Sequence, residues 1–386
     1  MDIFSDDNRR NPYPLYAQMR ATAPVFKVPP PFNAWMIFDY DGVQRALSDH
    51  ESFSNRVPAP ANWFIFKDPP NHTKLRALIS KAFTPRMITN LEARIRELSC
   101  TLLDQVIDRG EMDLASDFAV PLPMKVIAQM IGIPGADWPR FRAWSDSILK
   151  ISYARSGGEE AQRVMKEFTD VSAAMNDYLT TMIAERRQAP RDDLLSQLIA
   201  AEIDGQRLAH DEILGFFQLL VVAGQETTAN LINNAILCLL ENPAQLALLR
   251  ANMRLLASAI EETLRYRAPL QWMMRTPTRD IQMNSQTLSP GQLVLAVIGS
   301  ANRDSKHFER SEEFDITRDP NPHIAFGHGI HFCLGAALAR MEAKIALGDL
   351  LGRLTDLELA SNEPWEPRRA LHVHGPSHLP IRFRAV

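Results

Sequence analysis

Phe326-Gly327-His328-Gly329-Ile330-His331-Phe332-Cys333-Leu334-Gly335 is the stretch on which the reading of this chain turns. Glycines and aromatic residues crowd one cysteine, and residues 334–351 then take on strong helical periodicity. That order puts Cys333 at a helix N-terminus, where the dipole and free N–H groups favour a thiolate. Gly329 and Gly335 would let backbone approach the sulfur and donate to it. Phe326 and Phe332 would keep water away. Two plainer roles compete here. A lone thiol commonly only packs, and His323, His328, His331 and Cys333 lie close enough in sequence to suggest zinc. Zinc fits poorly, because structural sites favour paired Cys or His at short fixed spacing and a second Cys is missing nearby.

Around this stretch the chain has 386 residues, with 42 Lys+Arg against 46 Asp+Glu and a formal charge of −4. Hydrophobic residues make up 46% and charged residues 23%, the balance of a globular protein. A mildly acidic chain has no global reason to seek nucleic acid or an anionic membrane, so neither is expected as a partner. Three cysteines, Cys100, Cys238 and Cys333, are too few and too odd in number for a disulfide framework, so a reducing cytoplasmic setting is expected. The first ten residues are polar, without the apolar core of a signal peptide. No run reaches the roughly 20 apolar residues of a membrane span.

Helical periodicity dominates between about residues 72 and 267. The candidate helices are 72–83, 86–109, 123–131, 137–152, 158–188, 194–203, 211–240, 243–251 and 253–266. Strand-like segments are few: 34–38, and 275–283 paired with 292–298 across Ser289-Pro290-Gly291. Pro29-Pro30-Pro31, Pro58-Ala59-Pro60, Pro69-Pro70 and Pro320-Asn321-Pro322 read as turns and helix stops, too short to be linkers. The expected fold class is therefore mainly α with a small β subdomain drawn from distant segments. A length prior of about 150 residues per domain suggests two or three domains, but the scattered strands favour one, spanning residues 1–386.

The helix over 211–240 would be about 45 Å long. Its middle, Val221-Val222-Ala223-Gly224-Gln225-Glu226-Thr227-Thr228, places Gly and polar groups in an apolar helix, against propensity. A Thr that diverts a hydrogen bond to an earlier carbonyl could open the helix there, and a simple buried kink is one reading. Glu-x-x-Arg occurs three times, as Glu160/Arg163, Glu262/Arg265 and Glu366/Arg369, and about one is expected by chance. The first reads as a solvated i,i+3 pair; the third contains Pro367 and reads as a loop.

The cysteine stretch resembles the F-x-x-G-x-x-x-C-x-G signature of the cytochrome P-450 family, the haem-thiolate monooxygenases, here of the soluble bacterial type. Four such fixed positions arise by chance in roughly one chain per thousand. The resemblance extends from about His72 to the C-terminus, including Ala301-Asn-Arg-Asp304 and Phe314-Asp315. It implies the family's mainly helical, triangular fold and a haem b cofactor, with Cys333 as the proximal ligand to iron and Phe326 and Gly335 beside it. The middle of the long helix resembles the family's A-G-x-[D/E]-T motif, which makes Glu226 and Thr227 the acid–alcohol pair that delivers protons for oxygen activation. Glu262/Arg265 stands in the order the family requires, as a buried structural pair. His72 and Arg76 resemble the family's H-T-x-x-R segment, and Arg275 and His331 match two further positions. All four are expected on the haem propionates.

Strand alternation groups Gln271 and Met273 with Arg275. Leu219, Val222 and Ala223 lie one helical turn before the acid–alcohol pair. With Trp63 and Phe64 from the apolar Asn62-Trp-Phe-Ile-Phe66 loop, they outline a largely apolar pocket with Gln271 as a polar anchor. The implied reaction inserts one atom of O2 into a bulky, mostly hydrophobic organic molecule. Electrons must come from outside, because the chain has no flavin- or nicotinamide-binding Gly fingerprint, and a separate ferredoxin or flavodoxin is the expected donor. A peroxide-driven oxygenase of the same family would usually lack the acid–alcohol pair. A non-catalytic haem protein, for electron transfer or sensing, would need neither a proton relay nor a roomy pocket.

Overall fold

The computed structural model describes residues 5–30, 33–56, 62–150 and 158–386. The expected Pro58-Ala59-Pro60 turn, Pro31 and the end of the 137–152 helix lie outside the described residues. The chain divides into two compact units, neither of them continuous. The first comprises Met1–Val57, Leu103–Ala119 and Thr227–Val386, and the second Pro58–Leu102 and Val120–Glu226.

The first unit holds a five-stranded sheet in the order Val25–Val28, Ala34–Ile37, Leu293–Ala296, Met273–Pro277, Phe53–Ser54. Ala34-Trp35-Met36-Ile37 is buried at every position, as an unbroken apolar run must be when both sheet faces are covered. It runs parallel to Leu293–Ala296, which in turn pairs antiparallel with Met273–Pro277. The helix Tyr13–Thr22 packs Tyr13, Tyr16 and Met19 against Met36, Phe38 and Leu295, each buried side chain contributing about 1.5–3 kcal/mol.

One expected strand is two. Met273–Pro277 stops at a proline, and Ile281–Met283 folds back on Gln286–Leu288 across Asn284-Ser285. Asn284 takes the left-handed φ of 52° that this tight turn requires. A further sheet, Leu354–Leu359, Pro380–Ala385 and Glu111–Asp113, was not expected from periodicity; its strands are short or half exposed.

In the second unit the helix Gly158–Gln188 agrees with the expected span, whereas 86–109 is broken. Pro85–Asn90, capped by the Thr84 hydroxyl, ends at Leu91, and Glu92–Asp104 follows. The expected helix 194–203 ends at Ala200, and Glu202–Ile203 pairs with Gln206–Arg207 around Asp204-Gly205, both at left-handed φ. The unit is tied internally by the buried pair Arg186–Asp193 at 2.7 Å. Arg186 also donates to the carbonyl of Gly132, where left-handed φ and the crowding of Asp193 leave no room for a Cβ.

His210–Glu241 is one continuous 32-residue α-helix that runs through Gly224–Thr228. Residues up to Glu226 belong to the second unit and those from Thr227 to the first. Leu114–Ile131 is apolar and long enough to span a membrane by composition, but 72% of it is buried within the protein.

Candidate functional site

Gly327 and Gly329 take left-handed φ values of 75° and 72° and fold the cysteine loop tightly. The role of Gly329 differs from that expected. A Cβ there would lie 2.9 Å from Ser48 Cα and 3.1 Å from the Leu47 carbonyl, so this glycine lets the loop press on the helix Tyr40–Ser48 rather than on the sulfur. The Cys333 N–H donates to the Phe326 carbonyl at 2.9 Å, closing the loop back on itself. Cys333 is half-buried and stands two residues before Gly335, which caps the helix Ala336–Arg353. The helix thus starts two residues later than expected, with the thiol still at its positive end. Phe326 is half-buried, and Phe332 is 42% exposed. Cys238 makes the contrast: it is fully enclosed, and burial pushes its thiol up to about 11, a packing residue.

Three residues without a role from the motifs hold this loop. Arg340 places its guanidinium 4.5 Å over the Phe326 ring and forks onto Glu261 with two 2.7 Å hydrogen bonds. His323 meets the same carboxylate at 3.0 Å. Burial works to raise the Glu261 pKa, but the hydrogen bonds from Arg340 and His323 outweigh it and hold the carboxyl at about 2. His323 is therefore engaged away from Cys333, contrary to the zinc reading.

Beside Glu261, the Glu262–Arg265 pair is completely enclosed, at 0% exposure for both side chains. Two 2.8 Å hydrogen bonds join them. Arg265 also donates to the carbonyls of Asn302, Ser311 and Glu313, and Glu262 accepts from Asp315, Arg318 and Asn321. The pair pins the loop between Asn302 and Asn321 to the helix Leu256–Tyr266. Glu160/Arg163 is the solvated pair expected, 3.9 Å apart with both side chains exposed.

Arg275 is buried on the central sheet, paired with Val294. Met273 shares its strand face, and its thioether lies within 4 Å of the Cβ position of Gly327 in the cysteine loop. Gln271 departs from the expectation. It precedes the strand, so alternation does not reach it; its amide donates to the Ala268 carbonyl at 2.8 Å and fills the space over Gly299. It also borders a small cavity with Trp272, Leu371 and His374. His331 is half-buried in the 3-10 turn Gly329–His331.

In the second unit, His72 and Arg76 share one face of the helix Asn71–Ala82, His72 buried and Arg76 half-buried. Phe64 stacks on His72 with centroids 5.9 Å apart and leans on Phe216. Trp63 is buried, donating through Nε1 to Gln218 at 3.2 Å, and Gln218 donates to Asn176. Trp63 is thereby a fixed support, with Phe64 the more accessible wall. On the long helix Leu219 is buried, Val222, Glu226 and Thr227 are half-buried, and Ala223 is exposed although its helix is otherwise largely buried. One helical face is open at mid-length, at Ala223 and Thr227.

These features fit haem. Among the described residues no three His, Cys, Asp or Glu converge as a metal site, so one cysteine suits a metal that brings its remaining ligands with it, as a macrocycle does. A Cβ added at Gly335 would meet nothing within 4 Å, leaving room at the helix end for a flat group. Arg275 offers a fork to a carboxylate. The sequence profile of the family described as "Cytochrome P450" matches residues 158–371. The "Putative cytochrome P450 YjiB" of Bacillus subtilis is 42% identical over 92% of this chain and 90% of its own. Among solved structures, CYP109Q5 from Chondromyces apiculatus is 37% identical with a TM-score of 0.91, covering 100% of this chain and 98% of its own. CYP109E1 from Bacillus megaterium, solved in complex with testosterone, is 38% identical with a TM-score of 0.89, covering 96% and 99%. Sequence, fold and cysteine loop agree: the chain belongs to the cytochrome P450 family.

Proposed function

We propose that this monooxygenase oxidises a bulky, mostly apolar molecule of about steroid size, with Cys333 as the thiolate ligand of its haem b. The haem supplies the oxygen chemistry, one atom of O2 entering the substrate and the other leaving as water, with electrons from a separate redox partner. The observation that carries this reading is the half-buried Cys333 thiol at the head of Ala336–Arg353, a setting that favours the thiolate. Phe326 and Gly335 border the haem beside it. Arg275 and His331, with His72 and Arg76, bind the propionates, a role their cationic character and burial support.

Thr227 positions water through its hydroxyl, and Glu226 passes protons to it from solvent. Both lie on the accessible part of the long helix, which supports the assignment. Leu219, Val222, Ala223, Phe64 and Met273 form the apolar wall and Trp63 braces it; the testosterone held by CYP109E1 supports a substrate of that size. Glu262 and Arg265 act structurally. Residues 1–386 work as one catalytic domain, a reading supported by a chain that crosses between the two units four times, twice within a continuous helix. The electron donor is a ferredoxin or flavodoxin, and the setting is the cytoplasm. The test is the carbon monoxide spectrum of the reduced protein. A thiolate-type red-shifted band, lost in Cys333→His, is expected; its absence in the unmodified protein refutes the ligand assignment. Testosterone should then displace distal water and shift the iron spin state.

A further inference from the structure

Asp211, Gly215 and Gln218 stand at i, i+4 and i+7 on the long helix and so share one face. Within the second unit, that face seats the loop 62–66. The Asn62 side chain donates to the Asp211 carboxylate at 2.7 Å. One turn on, a Cβ at Gly215 would overlap the Asn62 carbonyl oxygen and lie 3.0 Å from its carbon. A further turn on, Gln218 accepts from Trp63 Nε1 at 3.2 Å and donates to Asn176 at 2.9 Å.

Gly215 is buried inside the helix, where propensity favours alanine over glycine. The close backbone of Asn62 is the physical reason for a residue without a side chain there. From Asn62 the chain enters one tight turn, closed by hydrogen bonds of 3.1 Å from the Phe66 and Lys67 amides to the Trp63 and Phe64 carbonyls. Trp63 anchors this turn against Phe66 and Phe168, with centroids 5.9 and 6.3 Å apart. The half-buried Phe64 ring leans on Phe216, the neighbour of Gly215, at 6.4 Å. The depth at which Asn62 meets the helix therefore passes to Phe64, two residues on.

We propose that Gly215 is a positioning residue for specificity: by admitting the Asn62 backbone it sets where the Phe64 ring stands, and so the size of molecule the pocket accepts. This rests on Phe64 as a pocket wall, the reading given above. The test uses the full-length, haem-loaded protein and its Gly215→Ala, Asp211→Ala and Phe64→Ala variants. Hydrogen exchange at the Phe66 and Lys67 amides reports the loop. It should quicken about tenfold or more in Gly215→Ala, although alanine favours the helix. Spectral titration with imidazole and with the bulky clotrimazole, whose ring nitrogens ligate iron, reports the pocket. Clotrimazole should bind the unmodified protein more tightly than imidazole. That preference should fall about tenfold or more in Gly215→Ala and in Phe64→Ala, the scale of one aromatic contact. Asp211 is exposed, so Asp211→Ala folds, and it should move both readouts the same way by about threefold. It decides if Gly215→Ala does not fold. An absent preference in the unmodified protein, or one unchanged in Phe64→Ala, overturns the wall reading and the proposal with it. A preference lost in Phe64→Ala but kept in the helix variants overturns the proposal alone, as does unchanged exchange.

Discussion

Truncating Glu262 to alanine leaves the Arg265 guanidinium charged, fully enclosed and without its counter-ion. Arg265 makes five hydrogen bonds, two to the Glu262 carboxylate and three to backbone carbonyls. The truncation removes the first two and takes acceptors from the Asp315 N–H, Arg318 and Asn321. Breaking one side of a buried pair costs about 3–5 kcal/mol, a large share of the roughly 5–15 kcal/mol that holds a typical protein folded. The assay is urea unfolding of the haem-loaded protein followed by circular dichroism, with haem content measured in parallel. Glu262→Ala should shift the unfolding free energy by that amount and release haem at lower urea. Removing both partners strands no isolated charge, so the double variant should fall short of the sum of the singles by about 0.5–3 kcal/mol. A single truncation costing under about 1 kcal/mol, or strict additivity, would refute the reasoning, because either result means that the enclosed charge is not what the pair stabilises.

Thr227→Ala should divert electrons from product into released hydrogen peroxide, read as peroxide formed per electron consumed; unchanged coupling would remove Thr227 from the proton relay. Glu261, held at about 2 against an ordinary 4.5, stabilises the fold above pH 4.5, and that contribution fades as pH falls towards 2. The group is partly exposed, so screening limits it to about 1 kcal/mol or less; Glu261→Gln should unfold with a shallower loss of stability over that window. Glu342 behaves oppositely. Burial pushes its carboxyl up to about 8 from 4.5, so the folded state holds the proton and stability declines as pH rises from 4.5 to 8. Glu342→Gln should flatten that decline in thermal unfolding curves, and an unchanged slope would show that Glu342 is ionised when folded.

The parts of this molecule legible in its sequence are those set by local constraint. The helices Gly158–Gln188 and Pro243–Ala251 fall where periodicity puts them, because an amphipathic stripe must recur every three to four residues. The cysteine loop was legible because its left-handed turns restrict the residues that can occupy them. Legibility failed where tertiary context chooses among local options. Leu91 interrupts a run that still reads as helical, and the edge strand Glu111–Asp113 pairs with the central strand Pro380–Ala385 across more than 250 residues with no long apolar alternation. Strand alternation does not reach Gln271, because it holds only inside a strand and the strand begins at Met273.

The same division explains why chemistry was easier to read than the scaffold holding it. A thiolate ligand or an acid–alcohol pair demands particular side chains at fixed spacing, and such patterns stand out against composition. The clamp on Phe326 demands nothing so specific. Glu261 and Arg340 are 79 residues apart and lie on helices where charged residues usually face solvent, so each is an ordinary surface residue until the fold brings them together. Only the meeting is informative, since two 2.7 Å hydrogen bonds and a ring contact at 4.5 Å turn generic charges into a brace for the cysteine loop. Arg303 shows the limit of motif reading from the other side. The Ala301-Asn-Arg-Asp304 segment supports the family assignment, yet what Arg303 touches, two tyrosine rings and Glu312, follows from packing alone. Motifs identify the residues that the reaction constrains; residues constrained only by their neighbours become visible once the neighbours are known.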